Sequence, residues 1–240
     1  MQISTIGFDA DDTLWHNERV FALTQAHFTQ AMAEYIPQDA QGPDHLAERL
    51  IAAERRNISH YGFGVKGFTL SMIETAIEVS EGRVPASVLA EILAAGREML
   101  SHPVDLLPHA RATIEALSGQ YRLVLITKGD LIDQERKLAQ SGLGDLFDAV
   151  EIVSDKTPEI YTRAFERHGS GASNGLMAGN SLKSDVIPMI EAGGWGVHIP
   201  HDLTWALEHA PAPLNHPRFA QLPDLSTLPA LIQQLARGGT

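Results

Sequence analysis

Ile3-Ser4-Thr5-Ile6-Gly7-Phe8-Asp9-Ala10-Asp11-Asp12-Thr13-Leu14 is the stretch on which the fold turns. An apolar run of strand length fills both parities and then breaks into carboxylates. That is how a strand buried on both faces of a parallel sheet reads. Four later runs have the same character: Arg122 to Ile126, Ala149 to Val153, Gly175 to Ala178 and Trp195 to Ile199. Helical patterns separate them. Ala110, Ile114 and Leu117 recur at helical spacing, and Asp130 is placed to cap a helix carrying Leu131 and Leu138. Thr157-Pro158-Glu159 opens another helix with a cap hydroxyl, a proline at the first position and an acid in the first turn. That helix carries Ile160, Ala164 and Phe165 inward and stops at Gly169. Strands alternating with helices predict an open, Rossmann-like parallel α/β sheet.

The first and second strands are widely separated, and the intervening chain reads as helix alone. Its apolar positions are Phe21, Phe28, Met32 and Tyr35; Leu46, Leu50 and Ala53; Leu70, Ile73 and Ile77; then Leu89, Leu93 and Leu100. Four amphipathic helices make a small bundle. The expected organisation is an α/β core of residues 1–15 and 105–240 with a helical insert of residues 16–104, Pro103 and Pro108 marking its return. The tail from Pro200 carries six of the 13 prolines. It reads as irregular chain over the core, ending in a helix near Leu228 to Leu235.

Composition narrows the function. The chain has 240 residues, 44% hydrophobic and 20% charged, with no cysteine and a net charge of −12. The apolar fraction suits a packed globular core. Disulfides, thiolate metal sites and a cysteine nucleophile are excluded. The acid excess argues against nucleic-acid binding, which needs clustered Lys and Arg. The start Met1-Gln2-Ile3-Ser4-Thr5-Ile6 has no basic segment followed by an apolar one, and no apolar run has membrane-spanning length. The expectation is a soluble, cytoplasmic protein with neither nucleic-acid nor membrane partners.

Asp9 and Asp11 follow the first strand, where ligands bind in open α/β sheets. Carboxylates two residues apart on extended chain lie on the same side. Close like charges there need a shared proton or a cation. An acidic strand-to-loop turn is the alternative reading of the spacing.

Asp9-x-Asp11-x-Thr13 after an apolar strand resembles the first motif of the haloacid dehalogenase (HAD) superfamily of phosphohydrolases. Three further elements follow in the family's order, each at a strand end. Leu125-Ile126-Thr127 resembles the second motif, Lys156 in Ser154-Asp155-Lys156-Thr157-Pro158 the third, and Gly179-Asn180-Ser181-Leu182-Lys183-Ser184-Asp185 the fourth. The insert after the first strand is similar to the family's C1-type helical cap.

The resemblance implies a Mg²⁺-dependent phosphohydrolase acting on a small phosphorylated metabolite through an aspartyl-phosphate. Asp9 would be the nucleophile and Asp11 the general acid, then base. Thr127 would hold phosphate oxygens with Lys128 beside it, and Lys156 would spread positive charge over the transferring group. The implied Mg²⁺ ligands are Asp9, Asp11 through its carbonyl, Asn180 and Asp185. Asn180 stands where the family usually has aspartate, so it brings an amide oxygen and no charge.

In the insert, Tyr61-Gly62-Phe63-Gly64-Val65-Lys66-Gly67-Phe68 reads as a mobile loop whose Lys66 reaches a substrate group, or as a helix connection packed by its aromatics. It does not resemble a P-loop. Asp12 reads as a turn acid and Lys183 as a solvated loop residue. His16 reads as a site or packing residue, and the other histidines lack ligand spacing, so no zinc site is expected. Haloacid dehalogenase chemistry, a phosphomutase and a non-catalytic binding protein on the same fold are the alternatives.

Overall fold

The computed structural model describes residues 3–36 and 42–237; Met1 and Gln2, at the start read above, lie outside them. The chain forms two compact units, residues 1–18 with 104–240, and residues 19–103.

The first unit is built on six strands: β1 (Thr5–Phe8), β2 (Arg122–Lys128), β3 (Ala149–Val153), β4 (Gly175–Gly179), β5 (Trp195–His198) and β6 (Phe219–Gln221). They form one sheet in the order β3-β2-β1-β4-β5-β6, every pairing parallel. This is the open parallel α/β sheet expected. β6 was not anticipated: three residues within a proline-rich tail carry too little pattern to signal a strand, and pairing with β5 makes it one.

The helices are α1 (Glu18–Met32), α2 (Gly42–Tyr61), α3 (Val65–Val79), α4 (Ala86–Ser101), α5 (Ala110–Leu117), α6 (Leu131–Ser141), α7 (Pro158–His168), α8 (Ile187–Glu191) and α9 (Leu228–Arg237). Alternate strand residues feed two apolar layers. Ile6, Phe8, Leu123, Leu125, Leu176, Ala178 and Val197 pack with Ile114 and Leu117 of α5 and with Ile232 of α9. Val124, Ile126 and Met177 pack with Tyr161, Ala164 and Phe165 of α7. Both faces of the sheet are therefore covered, as its unbroken apolar runs require.

The expected caps form. Asp130 accepts the Asp133 N–H at 3.2 Å, and Thr157 accepts the Ile160 N–H at 3.4 Å ahead of Pro158. Two inward faces differ from the sequence reading. In α7, Tyr161 is buried and Ile160 is partly exposed. In α6, Leu131 is exposed and Leu138 partly buried, while Asp133, Gln134, Lys137 and Ser141 are buried.

The second unit, α1 to α4, has its own core of Phe28, Met32, Leu46, Leu50, Val65, Phe68, Met72, Ala76, Val88, Ile92 and Met99. The reading of α1 and α2 holds; in α3 and α4, Ile73, Leu89 and Leu100 pack against this core as read, whereas Leu70, Ile77 and Leu93 are exposed. The cause is a close crossing. A Cβ on Gly96 would lie 2.4 Å from Thr69 Oγ1, so the helices meet at a glycine and a threonine, and the leucines fall to the flanks. The glycine-rich stretch is also shorter as a loop than expected, because Lys66, Gly67 and Phe68 already belong to α3.

Gly96→Ala should therefore lower the thermal midpoint, at a cost of about 1–3 kcal/mol for overpacking. Adding Thr69→Ala should restore part of the loss; no recovery in the double variant would mean that the crossing does not carry the constraint.

Candidate active site

β1 is the central strand, flanked by β2 and β4, and the strand order reverses across it. Parallel sheets place ligands beyond the carboxyl ends of the strands at such a switch point. Phe8 pairs with both Leu125 and Ala178, so Asp9, Thr127 and Asn180 emerge at one edge. The Asp9 N–H donates to Ala178 O at 3.0 Å and carries the pairing one residue beyond the strand. The Ala10 carbonyl then accepts the N–H groups of Thr13 and Leu14, at 3.2 and 2.8 Å, and closes a tight turn.

The Asp9 carboxylate is buried. Its Oδ1 accepts from Lys156 Nζ at 2.5 Å and its Oδ2 from Thr13 Oγ1 at 3.0 Å. The same lysine donates to Asp185 Oδ1 at 2.7 Å, and Asp185 Oδ2 accepts the Ser181 N–H at 2.9 Å. One ammonium thus serves two buried carboxylates. Burial pushes Asp9 up to about 7; Lys156 opposes the rise and Asp185 adds to it. Burial also disfavours the Lys156 ammonium, but Asp185 and Asp9 outweigh it and raise the lysine.

Asp185 reaches this position because residue 179 is glycine: a Cβ there would meet the Asp185 carboxylate at 2.2 Å. The Thr13 hydroxyl also accepts the Asn180 N–H at 3.0 Å, and Asn180 Oδ1 lies 3.4 Å from it. The first and fourth motifs are therefore joined through one hydroxyl. Thr127 is buried at the end of β2.

Asp11 is held by residues the sequence reading missed. Its Oδ1 accepts from Trp15 Nε1 at 2.7 Å, its Oδ2 from Gln134 Nε2 at 2.8 Å, and both oxygens from Lys137 Nζ at 2.8 and 2.9 Å. Burial raises the Asp11 carboxyl, but Lys137, Gln134 and Trp15 outweigh it and hold the group below the usual carboxylate range. Gln134 and Lys137 are three apart on α6 and share its inward face. In sequence they look like the solvent side of an amphipathic helix; the hint is that this helix is the first element after the second motif.

Lys128 extends from the end of β2 but is already paired. Its Nζ lies 2.5 Å from Glu208 Oε1 and 2.8 Å from Ser184 Oγ. Glu208 Oε2 in turn accepts from Ser181 Oγ at 2.6 Å and Ser184 Oγ at 2.5 Å. Burial raises Glu208, yet Lys128 and the two serines bring it below its ordinary value. Glu208 and Tyr161 are further residues the motifs did not indicate. The Tyr161 hydroxyl donates to Ser184 O at 2.9 Å, and burial followed by Asp185 and Asp9 lifts it well above the usual phenol range. Lys183 Nζ donates to Leu207 O at 2.7 Å. Lys66 is exposed in the first turn of α3, within the helical unit.

A parallel sheet with paired carboxylates at its switch point and a lysine bridging to a second acidic loop defines a Rossmann-like α/β protein with an acidic site at the carboxyl edge of its sheet. The chain belongs to the haloacid dehalogenase-like hydrolase family, whose model matches residues 3–193. A haloacid dehalogenase-like hydrolase from Xanthomonas campestris is 41% identical, with a TM-score of 0.86 over 98% of this chain and 93% of its own. The glyceraldehyde 3-phosphate phosphatase of Methanothermobacter thermautotrophicus is 24% identical over 212 residues, 85% of this chain and 88% of that protein. The pyrimidine 5'-nucleotidase YjjG of Escherichia coli is 32% identical over 93 residues, 36% of this chain and 41% of that protein. No helix among the described residues is long and apolar enough to cross a membrane.

The raised Asp9 fixes the sign of a stability effect. With a value of about 7 in the folded chain and 3.8 as the reference, the folded state binds more protons between these limits. Stability falls as pH rises through that window and stays lower above it. Metal-free Asp9→Asn should therefore be more stable than the parent at pH 8, with the gain shrinking toward pH 5. Denaturation at the two pH values checks this; a gain that does not depend on pH would show that Asp9 is not the titrating group.

Proposed function

We infer that the protein is a phosphohydrolase of small phosphorylated metabolites that works through an aspartyl-phosphate on Asp9. The observation that carries the reading is the buried Asp9–Lys156–Asp185 cluster, with two carboxylates on one ammonium. That arrangement leaves an excess of negative charge, which a divalent cation offsets. The donors on hand are hard oxygens: the carboxylates of Asp9 and Asp185, the Asp11 carbonyl and the Asn180 amide. This set fits Mg²⁺, which would be held by these residues and would neutralise charge on the transferring phosphoryl group. The phosphatase and the nucleotidase among the relatives support a phosphate ester as substrate.

In this scheme Asp9 Oδ attacks phosphorus as the ester P–O bond breaks, and the leaving oxygen takes a proton from Asp11. Water then attacks the phosphorus of the aspartyl-phosphate, giving its proton to Asp11 and releasing inorganic phosphate with a free Asp9. Thr127 holds a phosphoryl oxygen, and Lys156 balances developing charge while restraining Asp9 and Asp185. Lys128, already neutralised by Glu208, orders the fourth-motif loop and supplies field rather than a bare ammonium. Residues 19–103 serve as a helical cap domain in which Lys66 contributes to substrate choice, and the enzyme works in the cytoplasm. The Lys137 clamp favours ionised Asp11, which suits the base in the second step; the acid form is reached as pH falls.

That clamp also favours a second reading. Displacement of halide from a haloacid by Asp9 needs no acid at Asp11. Chloride release without metal, in the absence of any phosphatase activity, would select it.

Asp9→Asn should reduce Mg²⁺-dependent release of phosphate from a metabolite panel by at least about a thousand-fold, as loss of a covalent nucleophile does. Substantial residual turnover would remove Asp9 from that role. Lys137→Met should move the pH profile of kcat/KM upward, because the ion pair that lowers Asp11 is gone. An unmoved profile would mean that Asp11 does not limit the rate.

A further inference from the structure

Asp12, the third carboxylate of the turn, belongs to a different cluster from Asp9 and Asp11. It takes φ 59°, and its Oδ1 accepts the N–H groups of Asn17 and Glu18 at 2.8 and 3.1 Å, while Oδ2 accepts that of Glu18 at 2.9 Å. Two imidazoles gather beside this fixed carboxylate. His201, on the segment that follows β5, places Nε2 3.6 Å from Asp12 Oδ1. The ring of His16 lies with its centroid 5.7 Å from that of His201, inclined at 64°. One donor atom from each of Asp12, His16 and His201 lies within 4.8 Å of the other two.

Two details mark the cluster as more than a contact. His16 Nδ1 is buried and has no hydrogen-bond partner, an arrangement that costs about 1–3 kcal/mol unless something else satisfies it. His201 Nδ1 lies 2.9 Å from Leu203 O and, at the longer distance of 3.3 Å, from Leu203 N, so the shorter contact is to an acceptor. A proton on Nδ1 donated to that carbonyl leaves the Nε2 lone pair free on the Asp12 side. A second hydrogen bond that fixes the tautomer in this way is the usual support of a metal-binding histidine.

The geometry points to a transition-metal site formed by Asp12, His16 and His201, taking Zn²⁺ or a similar borderline cation, with water as the fourth ligand. Imidazole nitrogens suit such ions, whereas Mg²⁺ seeks oxygen, so the site is chemically distinct from the oxygen set around Asp9. Ligand bonds of about 2.0–2.2 Å place neighbouring tetrahedral donors roughly 3.3 Å apart. The Asp12–His201 separation already approaches that value, and His16 needs a small ring movement. Occupancy would tie the segment 199–209 to the first-motif turn. That segment carries Glu208, the acceptor for Lys128, Ser181 and Ser184. The ion would thereby stabilise the fourth-motif loop from outside the reaction centre.

The test uses the full chain stripped by a chelator and then titrated with Zn²⁺ in excess Mg²⁺, with Co²⁺ as the spectroscopic probe. One Zn²⁺ should bind per chain and raise the thermal midpoint. Co²⁺ should give the intense visible absorption of a low-coordinate centre. His201→Gln and His16→Gln, each shown to be folded by its metal-free melting curve, should each weaken Zn²⁺ binding at least ten-fold, while Asp9→Asn retains it. Zn²⁺ affinity in either histidine variant equal to that of the parent would overturn the assignment. So would loss of binding in Asp9→Asn or displacement by Mg²⁺, which would put the ion in the oxygen site. Absence of stoichiometric binding would leave Asp12 and His201 as a simple contact and equally refute the proposal.

Discussion

A single lysine ammonium shared by two buried carboxylates is the constraint around which the core is arranged. Lys156 reaches Asp9 and Asp185 from the loop after β3, and all three are nearly sealed from water. Buried charge is tolerated when it is paired and hydrogen-bonded. The surrounding structure supplies that support: Thr13 for Asp9, the Ser181 N–H for Asp185, and a missing Cβ at Gly179 that lets Asp185 fold over β4. Pairing remains incomplete, and Asp9 is left with its proton affinity raised. A carboxylate deprived of solvent and short of positive charge favours the binding of a proton or a cation.

Asp11 shows the opposite treatment two residues away. Trp15, Gln134 and Lys137 surround it with donors and keep it ionised. Two carboxylates of one motif are thus pushed in opposite directions by their neighbours, the usual way a site assigns different roles to like groups. The cost is visible in α6, which turns Asp133, Gln134 and Lys137 inward and leaves Leu131 and Ile132 exposed. Glu208 plays a comparable part for the fourth motif, where it gathers Lys128, Ser181 and Ser184. A net charge of −12 is compatible with an anionic substrate because the balance is set locally by a few lysines.

The α/β architecture and the carboxylates at the first strand end were legible in the sequence because they rest on local rules, whereas the later three motif positions came from the resemblance to the family. Continuous apolar runs mark doubly covered strands, Asp130 and Thr157-Pro158 mark helix starts, and carboxylates at the end of the first strand mark the sheet edge. The inward faces of α3, α4 and α6 were legible only in part: Ile73, Leu89, Leu100 and Leu138 pack as read, but Leu70, Ile77, Leu93 and Leu131 do not. Apolar periodicity assumes that a helix buries its leucines, but the α3–α4 crossing is decided by Gly96 against Thr69, and α6 faces a polar site. β6 exists through its pairing with β5 rather than through its own composition.

By itself, the sequence determined the order of β1 to β5 and of the longer helices along the chain, and the carboxylates at the carboxyl end of β1. Those features follow from short-range periodicity and from the direction of the chain at a strand terminus. The tertiary structure alone decided which charges meet: Lys156 with Asp9 and Asp185, Lys137 with Asp11, Glu208 with Lys128, and His201 with Asp12 and His16. These partners are far apart along the chain, and Coulomb energy depends on distance in space and on burial, neither of which is written in the spacing of residues.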